Sequence, residues 1–149
     1  MKILVINGVN LNMLGIREPD LYGKQDYKSL VRFIKNSAKN LGVKCKIMQF
    51  NEEGKIVTAI QKAKTKFNAI VINAGAYTHT SVAILDSLKA VSLPVAEVHL
   101  TDIATREDFR KFSYISLYAD ILIKGEGFNG YKKALEFLKE KLDNSSKSK

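Results

Sequence analysis

The chain has 149 residues, of which 46% are hydrophobic and 26% are charged, as in an ordinary soluble domain. The single cysteine, Cys45, excludes an internal disulfide and a cysteine-based metal site. The sequence begins without a signal-peptide pattern, and no apolar run approaches transmembrane length. The formal net charge of +9 comes from 24 Lys and Arg against 15 Asp and Glu, scattered without an arginine-rich or base-stacking motif. We therefore predict one cytoplasmic domain over residues 1–149, with residues 143–149 as a flexible tail.

Strand and helix patterns alternate along the chain. The predicted strands are residues 2–6, 43–49, 69–73, 95–100 and 119–123, and the predicted helices are residues 27–41, 53–66, 80–91, 105–115 and 130–142. Asp26 is a plausible N-cap and Gly42 a plausible C-terminal stop for the first helix. Thr105 with Asp108 resembles a capping box, which predicts the start of the fourth helix. The alternation predicts a five-stranded parallel sheet with helices on both faces, in the flavodoxin-like order 2-1-3-4-5.

Polar residues gather where three of these strands end. Strand 1 runs into NGVNLNMLGIREPDLYG at residues 7–23, strand 3 into NAGAYTHT at residues 73–80, and strand 4 ends in EVHLTD at residues 97–102. Both histidines of the chain, His79 and His99, fall in these stretches. Open α/β sheets bind ligands beyond the carboxyl ends of their strands, where the strand order reverses. We therefore predict an active site at this edge, with residues 7–23 as an active-site loop.

Two pairs of side chains suggest acid–base chemistry. Glu97 and His99 lie two residues apart on a strand and share a face, so the carboxylate can fix the imidazole tautomer and favour its protonated form. A salt-bridged strand end is the simpler alternative, and a metal site that adds His79 lacks any recognised ligand spacing. In the opening loop, Arg17 could fold back and lower the pKa of Tyr22. The alternative there is a tyrosine packed on the loop with its hydroxyl in water.

The glycines at positions 125, 127 and 130 match GxGxxG between a strand and a helix. The match is a weak dinucleotide signal because no following strand completes a βαβ unit. A glycine-rich turn at the rim of the sheet is the favoured interpretation.

Taken together, the polar segments resemble the signature blocks of the type II 3-dehydroquinate dehydratases over nearly the whole chain. The blocks are NGVNLN at 7–12, GIREP at 15–19 with YG at 22–23, NAGAYTHTS at 73–81, EVHL at 97–100 and REDFR at 106–110. The resemblance implies a flavodoxin-like fold and a lyase of the shikimate pathway, which makes aromatic amino acids. Such an enzyme removes water from 3-dehydroquinate to give 3-dehydroshikimate and needs no metal or organic cofactor.

The resemblance also implies catalytic roles. Tyr22 is the base that takes the proton alpha to the ketone, and Arg17 keeps it ionised. An enolate intermediate follows, with Asn10 helping to hold a water beside it. His99, oriented by Glu97, protonates the departing hydroxyl.

Substrate-binding roles follow in the same way. Asn73, with the backbone amides and the hydroxyl around Leu100 and Thr101, is expected to hold the substrate carboxylate. His79 and Arg110 are expected to bind ring hydroxyls.

The resemblance further implies a homo-oligomer, a dodecamer built of trimers, in which Asp86 reaches a neighbouring subunit's site. From the residues alone, Asp86 is an exposed helical carboxylate. Val9 and Ala74 stand where proline is usual or frequent in the family, so we expect both loops to be less rigid here.

Two other functions are alternatives. A flavodoxin-like module that binds a phosphate-bearing ligand would bind a flavin or nucleotide tightly without turnover. A basic nucleic-acid-binding protein would show strongly salt-dependent affinity for DNA or RNA.

Overall fold

The computed structural model describes residues 1–16 and 25–148. Within these ranges it contains five β-strands, four α-helices and several short 3₁₀ turns. The strands are β1 (Lys2–Asn7), β2 (Lys44–Gln49), β3 (Ala69–Asn73), β4 (Val95–His99) and β5 (Ile121–Lys124). The helices are α1 (Tyr27–Leu41), α2 (Glu53–Ala63), α3 (Val82–Val91) and α4 (Asn129–Lys147). All the strand pairings are parallel, in the order β2-β1-β3-β4-β5, so the predicted topology is confirmed.

Alternate side chains of the central strands feed two cores, one on each face of the sheet. Val5 and Val71 point to the face covered by α1 and α4, where they join Leu30 and Leu135. The opposite face is packed by α2 and α3. The largest fully buried side chains of its core are Leu4, Ile6, Ile56, Ile60, Ile70, Ile72, Ile84 and Leu88. A strand buried on both faces has to be apolar at consecutive positions, which is why β1 and β3 are nearly continuous apolar runs.

Both predicted caps of α1 are present. The Asp26 carboxylate accepts hydrogen bonds from the Ser29 backbone N–H at 2.8 Å and from the Ser29 hydroxyl at 2.7 Å. These two hydrogen bonds lower the pKa of Asp26. At the other end, Gly42 adopts φ +69°, a left-handed conformation in which a side chain would be strained.

The helix predicted over residues 105–115 is wrong. The connection from β4 to β5 instead makes three short 3₁₀ turns, Ile103–Thr105, Asp108–Arg110 and Ile115–Leu117. Thr105 does not cap a helix, because its hydroxyl donates back to the Asp102 carbonyl at 2.8 Å. The Asp108 carboxylate pairs with Lys111 at 2.8 Å instead of closing a capping box.

The closing helix also differs from its predicted end at Leu142, since α4 continues to Lys147. The additional turn is held by a Lys139–Asp143 ion pair at 2.6 Å and by serine hydroxyls. Ser145 and Ser146 each donate to the carbonyl four residues earlier. Residues 143–147, predicted to be tail, therefore belong to the helix. Elsewhere the predicted ends agree with the structure, as for β3 and α1, or move by up to three residues. Helix α3, for example, begins at Val82 behind Ser81, whose hydroxyl caps it.

Candidate active site

A cleft of about 630 Å³, including the part open to solvent, lies at the carboxyl ends of β1, β3 and β4. The register brings these ends together, since Asn7 at the end of β1 lies opposite Asn73 at the end of β3. The lining residues are Val9, Asn10, Leu11, Leu14, Asn73, Gly75, Ala76, His79, His99, Leu100, Thr101, Ile103, Arg106 and Arg110. The cleft is therefore at the switch point of the sheet, as the strand order predicts.

The Glu97–His99 contact expected from strand spacing is present at the wall of this cleft. His99 Nε2 lies 2.5 Å from Glu97 Oε2, and the side chains are 7% and 0% exposed. The carboxylate can only accept, so Nε2 carries the hydrogen and Nδ1 is the ring nitrogen left for a ligand. Burial would raise the pKa of Glu97, but the hydrogen bond and charge of His99 and the Ser113 and Ser116 hydroxyls outweigh it, and the pKa is lowered. Glu97 is thus held as an anion behind the imidazole.

Hydroxyl groups surround the rest of the Glu97 carboxylate. Ser116 donates to Oε1 at 2.6 Å, while Ser113 and Thr78 lie 2.6 Å and 2.8 Å from Oε2. A fully buried carboxylate is costly unless it is hydrogen-bonded, and these partners compensate it. Sequence reasoning missed Ser113, Ser116 and Thr78, because nothing local indicates which hydroxyls will meet a buried acid on another strand.

Asn73 is anchored by a buried network that reaches α4. Its Nδ2 donates to the Tyr131 hydroxyl at 2.9 Å, and its Oδ1 accepts from the Gly75 N–H at 3.2 Å. The Tyr131 hydroxyl donates in turn to Asn7 Oδ1 at 2.6 Å, and Asn7 lies 3.4 Å from the Tyr27 hydroxyl. Burial raises the pKa of Tyr131 far above its ordinary value, against a smaller lowering by Asn73, so the phenol stays neutral. The network fixes which way the Asn73 amide faces.

Sequence reasoning also missed Tyr131 and Asn7 as site-supporting residues. The available signal was a hydroxyl-bearing side chain on the apolar face of α4, in line with Ala134, Leu135 and Leu138. A buried tyrosine on such a face usually needs a hydrogen-bond partner.

His79 and two arginines, Arg106 and Arg110, also line the cleft. His79 Nδ1 lies 2.8 Å from the Phe112 carbonyl oxygen, so Nδ1 carries the hydrogen and Nε2 is an acceptor in the neutral ring. Burial lowers the pKa of His79, the Phe112 carbonyl opposes this, and the charges of His99 and Arg110 add to the lowering. Arg110 Nε lies 2.9 Å from Glu107, an ion pair without hydrogen-bond geometry. Arg106 lines the cleft as well, although the sequence predicted no catalytic or binding role for it.

The loop after β1 holds Asn10 in a left-handed conformation, with φ +68°. Its backbone N–H donates to Asn51 Oδ1 at 3.1 Å, and Gln49 Nε2 donates to the same oxygen at 3.0 Å. Asparagine tolerates this conformation better than most residues. The loop is therefore fixed by its contacts with the end of β2.

The β1 and β3 loops also pass very close to each other. A Cβ atom added at Gly75 would lie 2.6 Å from the Val9 carbonyl oxygen, and one at Gly8 would lie 2.3 Å from the Ala74 carbonyl oxygen. Both departures from the family pattern, Val9 and Ala74, thus sit at this crossing of the two loops. Their predicted effect on loop rigidity stays a prediction.

The remaining predicted site residues are placed as follows. Leu100 and Thr101 line the cleft directly after His99. Asp86 is exposed on α3 and does not line the cleft. Arg17 and Tyr22 lie outside the described residues.

The glycine-rich turn at residues 125–130 is part of the scaffold. The Gly125 and Gly127 N–H groups donate to the carbonyls of His99 and Leu100, at 3.3 Å and 3.0 Å. A Cβ atom added at Gly130 would lie 3.2 Å from Val98, so this glycine lets α4 approach the sheet. These two amides brace the end of β4, which supports the turn interpretation over a dinucleotide site.

Among residues 1–16 and 25–148, no group of three or more His, Cys, Asp or Glu side chains comes together as a metal site. The described helices include none with the length and apolar character needed to cross a membrane.

The doubly wound sheet, with a buried carboxylate–imidazole pair beside a cleft at its switch point, has the architecture of an α/β ligand-binding or catalytic domain. The sequence profile of the family "Dehydroquinase class II" matches residues 1–139. The chain therefore belongs to the class II dehydroquinase family and is an enzyme of that class.

Individual relatives agree with this assignment. The 3-dehydroquinate dehydratase of Clostridium acetobutylicum is 46% identical over 142 residues, which cover 95% of this chain and 99% of the relative. The crystal structure of type II dehydroquinase from Butyrivibrio crossotus matches with a TM-score of 0.91 and 44% identity, over 93% of this chain and 97% of that one. The corresponding structure from Propionibacterium acnes matches with a TM-score of 0.88 and 36% identity, over 92% and 94%.

Proposed function

We propose that the protein dehydrates 3-dehydroquinate to 3-dehydroshikimate in the shikimate pathway of aromatic amino acid biosynthesis, as a cytoplasmic enzyme without a metal or organic cofactor. Family membership supports the reaction. The observation that carries it is the buried Glu97–His99 pair, which presents His99 to a cleft that also contains His79 and Arg110. An acid and cationic groups in one cleft suit a hydroxylated, anionic substrate from which a hydroxyl must leave.

The proposed reaction runs in two steps. Tyr22, kept ionised by Arg17, removes the proton alpha to the ketone, and the electrons of that C–H bond form an enolate. The enolate then collapses to the conjugated ketone as the C–O bond breaks, and His99 gives its proton to the departing hydroxyl, which leaves as water. The roles of Tyr22 and Arg17 rest on the family resemblance, since both residues lie outside the described ranges.

The role of His99 is supported by the geometry around it. Glu97 accepts from Nε2, so the protonated ring keeps its second hydrogen on Nδ1 for the leaving hydroxyl. Asn10, in its left-handed conformation at the mouth of the cleft, is proposed to hold a water beside the enolate. A positioned acid and base each contribute about 10²–10⁴-fold in rate.

Substrate binding is assigned to the remaining lining residues. The Asn73 amide and the backbone and hydroxyl groups around Leu100 and Thr101 are proposed to hold the carboxylate. His79 Nε2, an acceptor in the neutral ring, and the Arg110 guanidinium are proposed to bind the ring hydroxyls.

A homo-oligomer, a dodecamer in which Asp86 reaches a neighbouring site, is proposed from the same resemblance. The described residues include exposed large apolar side chains that contact with another copy would cover, among them Val82, Phe109, Phe112 and Leu117. Light scattering tests the assembly, and a monomer at working concentration would refute it.

The reaction is tested by adding 3-dehydroquinate to chelator-treated protein and following ultraviolet absorbance, which rises as the conjugated product forms. Folded protein that gives no rise refutes the proposed function. Flavin, nucleotide and nucleic-acid binding are measured on the same sample, because tight binding without turnover would favour the alternatives.

The base is tested with Tyr22→Phe, which removes only the hydroxyl. We expect kcat to fall by at least about 10²-fold, the lower range for a general base, while the fold is kept. Near-full turnover in this variant would mean that Tyr22 is not the base, even if the protein performs the reaction.

A further inference from the structure

The hydroxyls of Thr78, Ser113 and Ser116 form a hydroxyl cage around the Glu97 carboxylate. Each described partner of the carboxylate can donate a hydrogen bond: His99 and Ser113 at Oε2, and Ser116 at Oε1. Thr78 lies within hydrogen-bond distance of both Oε2 and the Ser113 hydroxyl, at 2.8 Å and 2.6 Å. These contacts favour the anion, since donors stabilise a carboxylate and offer little to its protonated form.

The Thr78 and Ser113 hydroxyls have fewer hydrogens than short contacts. Thr78 and Ser113 have one hydroxyl hydrogen each but share three short oxygen–oxygen contacts with each other and with Glu97. The Ser113 oxygen also lies 3.2 Å from the Ser116 backbone N–H, which donates to it. The Ser113 hydrogen is then shared between two partners, Glu97 Oε2 and the Thr78 oxygen. If Ser113 donates to Thr78, Thr78 donates to Glu97, so in either arrangement this pair of hydroxyls gives Oε2 at least one hydrogen bond.

We propose that Ser113 and Ser116 are positioning residues that keep the negative charge on Glu97 and the proton of the Glu97–His99 pair on His99. This inference rests on the proposed function, in which His99 gives up that proton. Ser113 restrains the oxygen that faces the imidazole, and Ser116 holds the other oxygen, so together they also fix the plane of the carboxylate. Residues that orient the ligands of a metal site commonly change affinity or activity by about 10–100-fold when removed. The two serines orient Glu97 behind His99 in the same way.

The connection between β4 and β5 supplies both serines and also Arg110. Its Tyr114 N–H donates to the Thr78 carbonyl at 2.8 Å, and its Phe112 carbonyl accepts from His79. The segment that brings Arg110 to the cleft is therefore the one that cages Glu97.

Other charged groups near the pair must be separated from the effect. His79 interacts electrostatically with both Glu97 and His99, and it also feels the charge of Arg110. Arg106 and Arg110 line the same cleft. Lys124 lies opposite His99 in the β5 register but pairs with Asp102 at 3.3 Å. Burial lowers the pKa of the His79 imidazole, and a change in its protonation would also alter the pH profile, so it needs its own background variant.

The test uses Ser113→Ala and Ser116→Ala in the full-length protein, with Ser87→Ala as the matched control. Ser87 is a buried serine on α3 whose hydroxyl donates to the Ile84 carbonyl at 2.8 Å within its own helix. For each cage variant we expect kcat to fall about 10-fold, the effect of one hydrogen bond to a charged group, with KM changed less than about 2-fold. We also expect the acid limb of the kcat profile to move to higher pH, because losing a donor raises the pKa of Glu97. The limb is compared again in a His79→Gln background.

Two further measurements separate this role from a purely structural one. In a Glu97→Gln background, Ser116→Ala is expected to have less than about 2-fold further effect, because its action passes through the carboxylate. Substitution Ser116→Thr, which keeps a hydroxyl, is expected to restore most of kcat. Full additivity with Glu97→Gln, or an unchanged acid limb in both cage variants, overturns the proposal. If an alanine variant does not fold, the cysteine variant, a weak donor of similar shape, is measured against the same expectations.

A substrate-free readout distinguishes this proposal from the proposed function. The ¹³C carboxyl resonance of Glu97 is titrated in the wild-type protein and in the serine variants, and it should titrate at higher pH in the variants. If the wild-type protein does not turn over 3-dehydroquinate but the resonance shifts, the function fails and the cage stands. If the wild-type protein turns over and neither kcat nor the resonance responds, the cage alone fails.

Discussion

Removing one buried hydroxyl gives the sharpest test of how the site is supported. Tyr131→Phe keeps the ring that fills the space between α4 and the sheet, so no cavity forms. It deletes the donor to Asn7 Oδ1 at 2.6 Å and the acceptor of Asn73 Nδ2 at 2.9 Å. All three side chains are 4% exposed or less, so water cannot replace the lost bonds without rearrangement.

The magnitude follows from the two groups left unpaired. Each unsatisfied buried polar group costs about 1–3 kcal/mol, so we expect Tyr131→Phe to lower the free energy of unfolding by about 2–6 kcal/mol. Urea unfolding at neutral pH measures this, at one fixed protein concentration because assembly would add to the apparent stability. Tyr118→Phe is the matched control, since that half-buried hydroxyl donates to one carbonyl, of Leu93, and we expect a loss of about 1 kcal/mol or less.

A pH series adds a second readout for the same hydroxyl. Burial raises the pKa of Tyr131 above the ordinary value of 10.0, so the folded state favours the neutral phenol. That stabilisation is fully present below pH 10.0 and is lost as the pH rises from there toward the folded value. The wild-type protein should therefore lose more stability above this pH than Tyr131→Phe does. A variant within about 0.5 kcal/mol of wild type at neutral pH, which is the range of neutral surface changes, would refute the network's role in stability.

Three further changes test the scaffold. Gly75→Ala should destabilise the fold by about 2 kcal/mol or more, because φ is +64° and the new Cβ would meet the Val9 carbonyl oxygen at 2.6 Å. Gly54→Ala is the control, since it has open space at its Cβ and should be neutral or slightly stabilising. Thermal unfolding measures both variants. Ser81→Ala removes the N-cap of α3, a bond of 2.9 Å, and should cost about 0.5–2 kcal/mol in urea unfolding, so an unchanged midpoint would contradict the capping role. The pKa of Glu97 is lowered, so the stabilisation that its charge gives the fold is present above the ordinary value of 4.5 and is lost as the pH falls through the folded value. Between neutral pH and about pH 3, wild type should therefore lose more stability than Glu97→Gln. Equal acid sensitivity of the two proteins would show that Glu97 is not held as an anion.

The sheet and its order could be predicted because their signals are local. Strands β1 and β3 are apolar at nearly every position, and Asp26 and Gly42 mark the ends of α1 with residues whose chemistry is specific to caps. The Glu97–His99 contact was predictable for the same reason, since the two-residue period of a strand puts both side chains on one face. The support of the site was not, because Tyr131 meets Asn7 across 124 residues of sequence.

The irregular connection from β4 to β5 shows why local signals failed there. Thr105 and Asp108 have the spacing of a helix start, and a helix would satisfy the backbone between them. A buried carboxylate on β4, however, needs donors, and residues after Arg110 bring the hydroxyls of Ser113 and Ser116 to it. A buried carboxylate without hydrogen-bond donors costs several kcal/mol or more in folding free energy. The backbone hydrogen bonds of one short helix contribute less, because water can replace them in an exposed loop. Helix propensity is a weak preference of tenths of a kcal/mol per residue. The hydrogen bonds that the buried Glu97 carboxylate needs outweigh it, so the chain follows a path that brings the two serines to Glu97.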